Sequence, residues 1–269
     1  MKYDVLEKVK NHLYKTRPPN TARTYYSALK KLFRNHQFND PSEIDATVFE
    51  SSAKLFRNKS QFSAVKNAIK AMQEVYPDIK APTEEWFKTI SIKKRNYTTK
   101  PAKTIYLEPM KRTINQISSD KLKLAYRLAL ISGLRVSELA DLEARDINFI
   151  DGKIYVDVRH GKGDKYGHIE CKKDDYLCEK LQDYISLCPK EKLFYSEAYM
   201  RRCAKNLNME CHDMRRVYAI TRREELRQEM SAQQADEQVR QDMRHVRFST
   251  TKRYLYNRKL KMKKEKVGH

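Results

Sequence analysis

The 269-residue sequence has no apolar stretch long enough to cross a membrane. Its most apolar window, Leu124 to Leu134, is interrupted by Arg127, and the N-terminus leads into no apolar signal core. We therefore expect neither a membrane protein nor a secreted one. The five cysteines are odd in number and contain no CxxC pair, which predicts reduced thiols in a cytoplasmic protein rather than a disulfide framework or a zinc site.

Acidic residues are also scarce, with 35 Asp and Glu against 56 Lys and Arg, for a formal net charge of +21. Residues 1–100 carry 20 basic and 10 acidic side chains and the remainder carries 36 and 25, so both parts of the chain are basic. Such an excess of positive charge is typical of proteins that bind a polyanion, most often a nucleic acid. The alternative is that the charge only keeps the protein soluble. Two basic bodies predict two surfaces that face one polyanion.

The spacing of apolar residues predicts two domains, as is common for a chain of this length. Residues 1–92 show helical spacing and predict a bundle of four or five helices, and residues 93–104 have the composition of a basic linker. In residues 105–269, helices flank three short antiparallel strands, INFI, KIYVDV and HIEC. The pair Asp151-Gly152 between the first two strands is a strong hairpin signal. The expected fold class is mainly α with a small antiparallel β-sheet, a helical domain followed by an α+β domain.

Four short motifs in the second domain carry groups able to act on a phosphate. They are, in chain order, ISGLRVSEL with Arg135, HGKGDKYG with Lys162, CHDMRR with His212 and Arg215, and RHVRFSTTKRYLY with His245 and Tyr254. Each motif alone also fits ordinary structure, such as an ion pair between Arg135 and Glu138, an inert hairpin lysine or a packed tyrosine. The joint order and types of these groups are therefore the informative signal.

The motifs also predict local geometry. Gly133 is expected to end one helix and Ser137 to cap the next. Arg135 then lies at a helix N-terminus, where backbone N–H groups and positive potential favour a phosphate. Either Ser249 or Thr250 is expected to cap the helix that carries the last tyrosines.

Together the groups fit one reaction, the attack of a tyrosine on a phosphodiester. A phenol with a pKa near 10 is ionised to about one part in a thousand at pH 7, which leaves roughly 4 kcal/mol of barrier to offset. Two arginines can stabilise the added charge, each preorganised donor being worth about 2.7–4 kcal/mol. A histidine can accept the phenolic proton and a lysine can protonate the leaving 5′ oxygen. We expect no metal and no cofactor, because the sequence has no acidic ligand cluster and Arg215 and Arg216 would repel a cation beside His212.

The motifs resemble those of the tyrosine recombinase, or phage integrase, family. GLRVSEL is similar to its first arginine motif, GKGDK to its β-hairpin lysine, HDMRR to its His-x-x-Arg box, and RHVRFSTTKRY to its terminal block. The resemblance covers most of residues 105–256, and PPNTARTYYSALKKL is similar to the opening helix of the family's core-binding domain. It implies these roles: Tyr254 as nucleophile with Tyr256 as rival, Arg135 and Arg215 as phosphate clamp, His212 as proton acceptor, His245 as phosphate donor, Lys162 as general acid, and Glu138 as support for Arg135 or His212.

The chain departs from the family pattern at two places. It has Met243-Arg244-His245 where the family usually has Leu-Gly-His, so the local turn is expected to differ. It also has Arg216 where the family usually has a second histidine. In relatives the C-terminal segment often docks into a neighbouring subunit, and we expect the basic tail of this chain either to do so or to lie on DNA.

The resemblance implies a site-specific DNA recombinase that closes as a two-domain clamp on double-stranded DNA. Cleavage through a 3′-phosphotyrosine would need neither metal nor ATP, and strand exchange would occur in a homotetramer on synapsed DNA. The alternatives are a type IB topoisomerase-like relaxing enzyme and a non-cleaving DNA-binding protein with the same fold. The basic residues expected to contact DNA are Arg23, Lys30 and Lys31 in the first domain, and Lys93, Lys94, Arg95, Lys100 and Lys103 in the linker.

Overall fold

A computed structural model describes residues 2–34, 43–52, 55–56, 58–93, 105–161, 165–187, 192–256 and 260–261. The chain divides into two compact units, Met1–Lys100 and Pro101–His269. The division falls inside the segment 93–104 that we interpret as a linker. Residues 94–104 lie outside the described residues, and with them four of the predicted DNA contacts, Lys94, Arg95, Lys100 and Lys103.

The described part of the first unit is helical. Its helices are α1 (Lys2–Thr16), α2 (Pro19–Leu32), α3 (Ala46–Ser52), α4 (Lys59–Val75) and α5 (Glu84–Lys93). Pro19 opens α2, where its missing N–H leaves no hydrogen bond unmade, and Asn58 caps α4 by accepting a hydrogen bond from the Gln61 N–H at 2.9 Å. Leu13, Leu29 and Met72 are fully buried between the helices. The helical character predicted for residues 1–92 is confirmed for the part of this segment that the structure describes.

The second unit combines helices with short strands. Its elements are β1 (Ile105–Tyr106), α6 (Leu107–Asn115), α7 (Asp120–Ser132), α8 (Val136–Asp141), β2 (Ile147–Ile150), β3 (Lys153–Gly161), β4 (Lys165–Glu170), α9 (Asp175–Leu187), α10 (Glu197–Asn206), α11 (Cys211–Leu226), α12 (Ala232–Asp242), α13 (Phe248–Leu255) and β5 (Leu260–Lys261). The predicted fold class, mainly α with one small antiparallel sheet, is confirmed. Among the described residues, no helix combines the length and the apolar character needed to span a bilayer.

The three-stranded sheet has the order β2-β3-β4 and is antiparallel throughout. Ile147 pairs with Val156 and Ile150 with Lys153, so Asp151 and Gly152 form a two-residue turn. Both turn residues have a positive φ, 49° and 71°, which matches the right-handed twist of the flanking strands. The hairpin predicted from Asp-Gly is therefore confirmed. Alternate residues of β3 are buried, so one face of the sheet packs on the core.

Two hydrophobic clusters organise the second unit. The larger one surrounds α7, which packs against α11, and includes Leu128 and Val217. The smaller one joins α11, α12 and α13 through residues such as Tyr218, Val239 and Tyr254. Because α11 belongs to both clusters, it holds α13, the helix that carries Tyr254, next to the loop that follows α7.

The C-terminal segment returns to its own unit. Ile105 pairs with Leu260 and Tyr106 with Lys261 in a short parallel ladder between β1 and β5. Residues 257–259 and 262–269 lie outside the described residues. Docking of the basic tail on a neighbouring subunit or on DNA remains a prediction.

Candidate active site

The first arginine motif lies at the junction of α7 and α8. Gly133 ends α7 with a left-handed φ of 64°, as predicted. The prediction that Ser137 caps α8 is wrong, because Arg135 holds the cap position and Ser137 lies in the first turn. The carboxylate of Glu138 reaches back instead and accepts a hydrogen bond from the Arg135 N–H at 2.8 Å. This backbone hydrogen bond, one half of a capping box, fixes the start of α8 at Arg135.

Glu138 also binds the side chain of Arg135, with 2.6 Å between its Oε1 and Nη1 of the arginine. The carboxylate is buried, at 2% exposure. Burial by itself would raise the pKa of Glu138, but the charges of Arg244 and Arg135 and the backbone hydrogen bond outweigh it, and the pKa is lowered. Glu138 is therefore ionised at neutral pH, and of its two expected partners it holds Arg135.

Arg215 projects from α11 into the protein interior, where it is 1% exposed. It donates hydrogen bonds to the carbonyl of Gly133, to the carbonyl of Met243 at 2.5 Å, and to Nε2 of His245 at 3.1 Å. Burial, followed by the charge of Arg135, lowers the pKa of Arg215 to about 10, so it remains charged at neutral pH. One arginine thus joins the turn after α7, helix α11 and the loop after α12.

The hydrogen bonds of His245 define its tautomer. Because an arginine only donates, Nε2 accepts from Arg215, and Nδ1 then carries the proton and donates to Thr251 Oγ1 at 3.0 Å. Burial, followed by the charges of Arg215 and Arg135, lowers the pKa of His245 to about 3. In this arrangement His245 is a neutral acceptor toward Arg215. Donation to a phosphate requires the proton on Nε2, and that role remains a prediction.

The hydroxyl of Tyr254 lies 2.6 Å from Nε2 of His212. Tyr254 is 7% exposed, and its ring also packs against His245, with 5.2 Å between the ring centroids. Although the His212 side chain as a whole is exposed, partial desolvation of its ring and then the charges of Arg216 and Arg215 lower its pKa to about 4. The neutral imidazole therefore faces the phenol as a proton acceptor.

Helix α13 begins differently from the prediction. The N-cap position is held by Arg247, and Ser249 and Thr250 lie within the first turn, so the prediction that one of them caps the helix is wrong. The arginine at the cap makes no side-chain cap hydrogen bond. Thr251 instead turns its hydroxyl to His245, which ties the start of α13 to the loop before it.

Tyr256, the rival nucleophile, belongs to a separate polar cluster. Its hydroxyl donates to Asp236 Oδ2 at 2.8 Å and accepts from Arg223 Nη2 at 2.9 Å. The side chain is 52% exposed. The structure thus places Tyr254 beside the candidate histidines and arginines and engages Tyr256 elsewhere.

A small cavity of about 100 Å³ opens between α8, α10 and α11. It is lined by Leu134, Arg135, Val136, Ser137, Arg201, Cys211, His212 and Arg215. None of these eight residues is acidic, and three are arginines, so the cavity suits an oxyanion such as a phosphate. Nε of Arg215 has no hydrogen-bond partner among the described residues. Within the same part of the chain, no cluster of three His, Cys, Asp or Glu side chains could hold a metal ion.

A comparison with protein families shows which family the chain belongs to. The model of the phage integrase family matches residues 102–261, which is more than half of the chain. The chain belongs to the phage integrase family. A tyrosine recombinase of Pseudothermotoga lettingae is 30% identical over 138 residues, a match that covers 48% of this chain and 47% of the relative. The chain thus spans about half the length of this curated relative.

Solved integrase-family structures share the fold at low sequence identity. A lambda integrase dimer bound to a COC′ core site is 15% identical with a TM-score of 0.69, covering 99% of both chains. The XerH site-specific recombinase bound to a palindromic difH substrate is 15% identical with a TM-score of 0.61, covering 88% of this chain and 74% of XerH. The Tn1549 transposon integrase in complex with transposon right end DNA is 15% identical with a TM-score of 0.59, over 91% and 94% of the two chains.

Lys162, the predicted general acid, lies in residues 162–164, outside the described residues. The strands on either side of it are β3 and β4. Its role as general acid therefore remains a prediction.

The DNA contacts expected in the first unit have mixed surroundings. Arg23 and Lys30 are exposed on α2. Lys31 is also exposed, but its ammonium donates to the Leu55 carbonyl at 2.8 Å. Lys93 is the last residue of α5, and its side chain lies outside the description. The DNA-binding role of all four residues remains a prediction.

Arg201 lines the candidate cavity but was not predicted from the sequence. It lies on α10, in a basic helix without a motif, and pairs with Glu197 at 2.7 Å. No local signal separates it from other surface arginines, because only the packing of α10 against α8 and α11 brings it to the cavity. Arg216, which replaces the second histidine usual in the family, donates to buried Asp213 at 2.6 Å.

Proposed function

We propose that this integrase-family protein is a site-specific DNA recombinase that cleaves and rejoins duplex DNA through a 3′-phosphotyrosine intermediate. The contact between the Tyr254 hydroxyl and His212 Nε2, beside a cavity lined by Arg135 and Arg215, carries this proposal. A buried phenol on a neutral imidazole, next to two arginines, suits nucleophilic attack on a phosphodiester.

In the proposed reaction the Tyr254 oxygen forms a bond to the scissile phosphorus and passes its proton to His212. The bond between phosphorus and the 5′ oxygen breaks, and Lys162 supplies the proton to the leaving oxygen. Arg135 and Arg215 stabilise the extra negative charge of the transition state. Removal of one such donor typically lowers the reaction rate about 10²–10³-fold. Attack by a 5′ hydroxyl reverses the steps, so the scheme requires no ATP and no metal ion.

We further propose that the partner is double-stranded DNA, held by the first unit as a core-binding domain and by the second as the cleaving domain. A structure of the same fold, a lambda integrase tetramer bound to a Holliday junction, supports a tetramer on synapsed DNA for this chain as well. The Tn1549 transposon integrase supports a role on a mobile element. The proposed place of action is DNA in the cytoplasm of the host cell.

The test uses nicked duplexes that tile the DNA flanking the protein's own gene. The nick is placed so that the short fragment with the released 5′ hydroxyl dissociates after cleavage. The wild type should form a covalent adduct, seen as a shifted band on a denaturing gel, and mass spectrometry should place the DNA on the peptide containing Tyr254. Tyr254→Phe should abolish the adduct. Tyr256→Phe, the matched control two residues away, should retain it.

Other outcomes support the alternatives. An adduct that persists in Tyr254→Phe would refute the nucleophile assignment. Relaxation of any supercoiled plasmid, without dependence on sequence, would favour a type IB topoisomerase-like activity. DNA binding without any adduct would favour a non-cleaving DNA-binding protein.

A further inference from the structure

Arg244 has an unusual backbone conformation for an arginine. Its φ is 54°, in the left-handed region that favours glycine. The other non-glycine residues with a positive φ among the described residues are Asp151 and Asn208, types that tolerate this conformation more readily. Arg244 occupies the position where the family usually has glycine. A residue that strains the backbone there is expected to be retained for its side chain.

The side chain of Arg244 crosses β4 at Gly167. A Cβ atom on Gly167 would lie 2.7 Å from Cδ and 2.9 Å from Nη1 of the arginine. Any larger residue at this position would push the arginine aside. The glycine on β4 and the arginine after α12 therefore form a matched pair.

The guanidinium of Arg244 donates a hydrogen bond to Glu138, with 2.6 Å between its Nη2 and Oε2 of the carboxylate. The same carboxylate holds the backbone and the guanidinium of Arg135, so it bridges two arginines. With both oxygens engaged, the rotation of the Glu138 carboxylate is restricted. Arg244 thus reaches Arg135 through one shared, buried anion.

Stability alone explains this arginine poorly. Its Nε and Nη1 are buried and have no hydrogen-bond partner among the described residues. Unmade hydrogen bonds and a left-handed backbone both oppose folding. The contact with Glu138 is its one ion pair that the structure describes, and it points to the candidate active site.

We propose that Arg244 is a positioning residue, which fixes Glu138 and through it holds the guanidinium of Arg135 against the cavity where the scissile phosphate binds. This inference rests on the proposed recombinase function. Because the side chain also crosses β4, it couples Arg135 to the hairpin that carries Lys162.

The first test compares Arg244→Gly with wild type on a nicked duplex that the wild type cleaves. The variant restores the usual family residue and relieves the left-handed backbone, so the fold should persist. Single-turnover adduct formation should slow about tenfold to a hundredfold, since a misplacement of about 1 Å can cost a hundredfold. Arg244→Lys, which keeps a cation for Glu138, should recover part of the rate.

The control for charge is Arg202→Gln. Arg202 is exposed on α10 with its guanidinium 5.3 Å from the Tyr199 ring, so its loss removes one positive charge without touching the cavity. Both variants should raise the Kd for duplex DNA by a similar factor, and only Arg244→Gly should slow cleavage. Equal cleavage rates in the two variants would overturn the positioning role.

The second test uses the pairing with Gly167. Gly167→Ala should slow adduct formation in the wild-type background, because the added methyl displaces Arg244. In the Arg244→Gly background it should have little further effect, since the collision is gone. Independent, multiplicative effects of the two substitutions would contradict the pairing.

A third readout does not depend on cleavage. The ¹⁵N signals of the Arg135 guanidinium should show separate Nη groups in the wild type, where Glu138 restricts rotation, and should merge in Arg244→Gly. Arg135→Lys identifies the signals. If the wild type forms no adduct but these signals respond to Arg244→Gly, the recombinase proposal fails and the positioning inference stands. If adduct forms at the same rate and the signals do not change, the inference on Arg244 fails and the recombinase proposal stands.

Discussion

Arg215 shows how a single side chain connects the candidate chemistry to the fold. A charged group at 1% exposure is costly unless its donors are paired, and two backbone carbonyls and His245 pair most of them. The acceptors come from two separate segments, the turn after α7 and the loop after α12, so both must reach their folded positions before Arg215 can be buried. Nε of Arg215 is buried and has no hydrogen-bond partner among the described residues.

The buried histidine predicts a dependence of stability on pH. The folded pKa of His245 is about 3, against a reference value of 6.5, so the unfolded chain takes up the proton first. The free energy of unfolding should therefore be highest above about pH 6.5 and should fall as the pH drops toward about 3. The slope from this residue is at most about 1.4 kcal/mol per pH unit. Urea unfolding at a series of pH values measures it.

His245→Gln is the matched variant, because its side chain accepts and donates hydrogen bonds but does not titrate. The slope of its unfolding free energy against pH should be smaller than in the wild type, by the equivalent of up to one bound proton. The dependence should not vanish, since His212, with a folded pKa of about 4, contributes in the same direction. An unchanged slope would show that His245 is not buried as a neutral imidazole.

At the scale of elements, the junction between α7 and α8 depends on a glycine in two ways. Gly133 has a φ of 64°, and a Cβ atom there would collide with the ring of Tyr218. Its carbonyl also accepts a hydrogen bond from Arg215. Gly152, in the hairpin turn, has a similar φ of 71° but no atom within 4 Å of an added Cβ.

The two glycines form a matched pair for mutation. Gly152→Ala should cost only the left-handed strain, about 1–2 kcal/mol. Gly133→Ala should cost that strain plus overpacking of about 1–3 kcal/mol, and so about 2–5 kcal/mol in total. Urea unfolding of both variants measures the difference. Equal losses of stability would mean that the turn after α7 can move away from α11.

For the whole molecule, the net charge of +21 predicts DNA binding that depends strongly on salt. The logarithm of the affinity for duplex DNA should fall linearly with the logarithm of the salt concentration, by about 0.9 per neutralised phosphate. For six to ten phosphates this amounts to a loss of about 10³–10⁵ between 50 and 200 mM salt. Fluorescence anisotropy with a labelled duplex measures the slope, and a flat response would contradict the proposed DNA-binding surfaces.

The exposed cations of α2 test the contribution of the first unit. Arg23→Gln and Lys30→Gln should each reduce the salt slope by about 1 if each residue contacts a phosphate. Affinity should weaken evenly across DNA sequences, because phosphate contacts carry no base information. A slope unchanged in the double variant would place this face of α2 away from the DNA.

Much of the fold could be predicted because its signals are local. Helical spacing, the two-residue period of β3, the Asp151-Gly152 turn and the helix end at Gly133 depend on neighbouring residues and on backbone sterics. The two cap predictions at Ser137 and at Ser249 or Thr250 failed because each helix begins earlier than predicted, with Arg135 and Arg247 at the cap positions. Glu138 and Thr251 instead form hydrogen bonds with the Arg135 N–H and with His245.

The motif residues and their types were sufficient to identify the candidate chemistry and the family. Assembly of the site depended on contacts between distant segments. Tyr254 meets His212 across 42 residues, and Arg244 meets Glu138 across 106. Tertiary packing also engaged Tyr256 with Asp236 and brought Arg201 to the cavity. Such contacts depend on how helices pack, and neither residue type nor spacing along the chain encodes that locally.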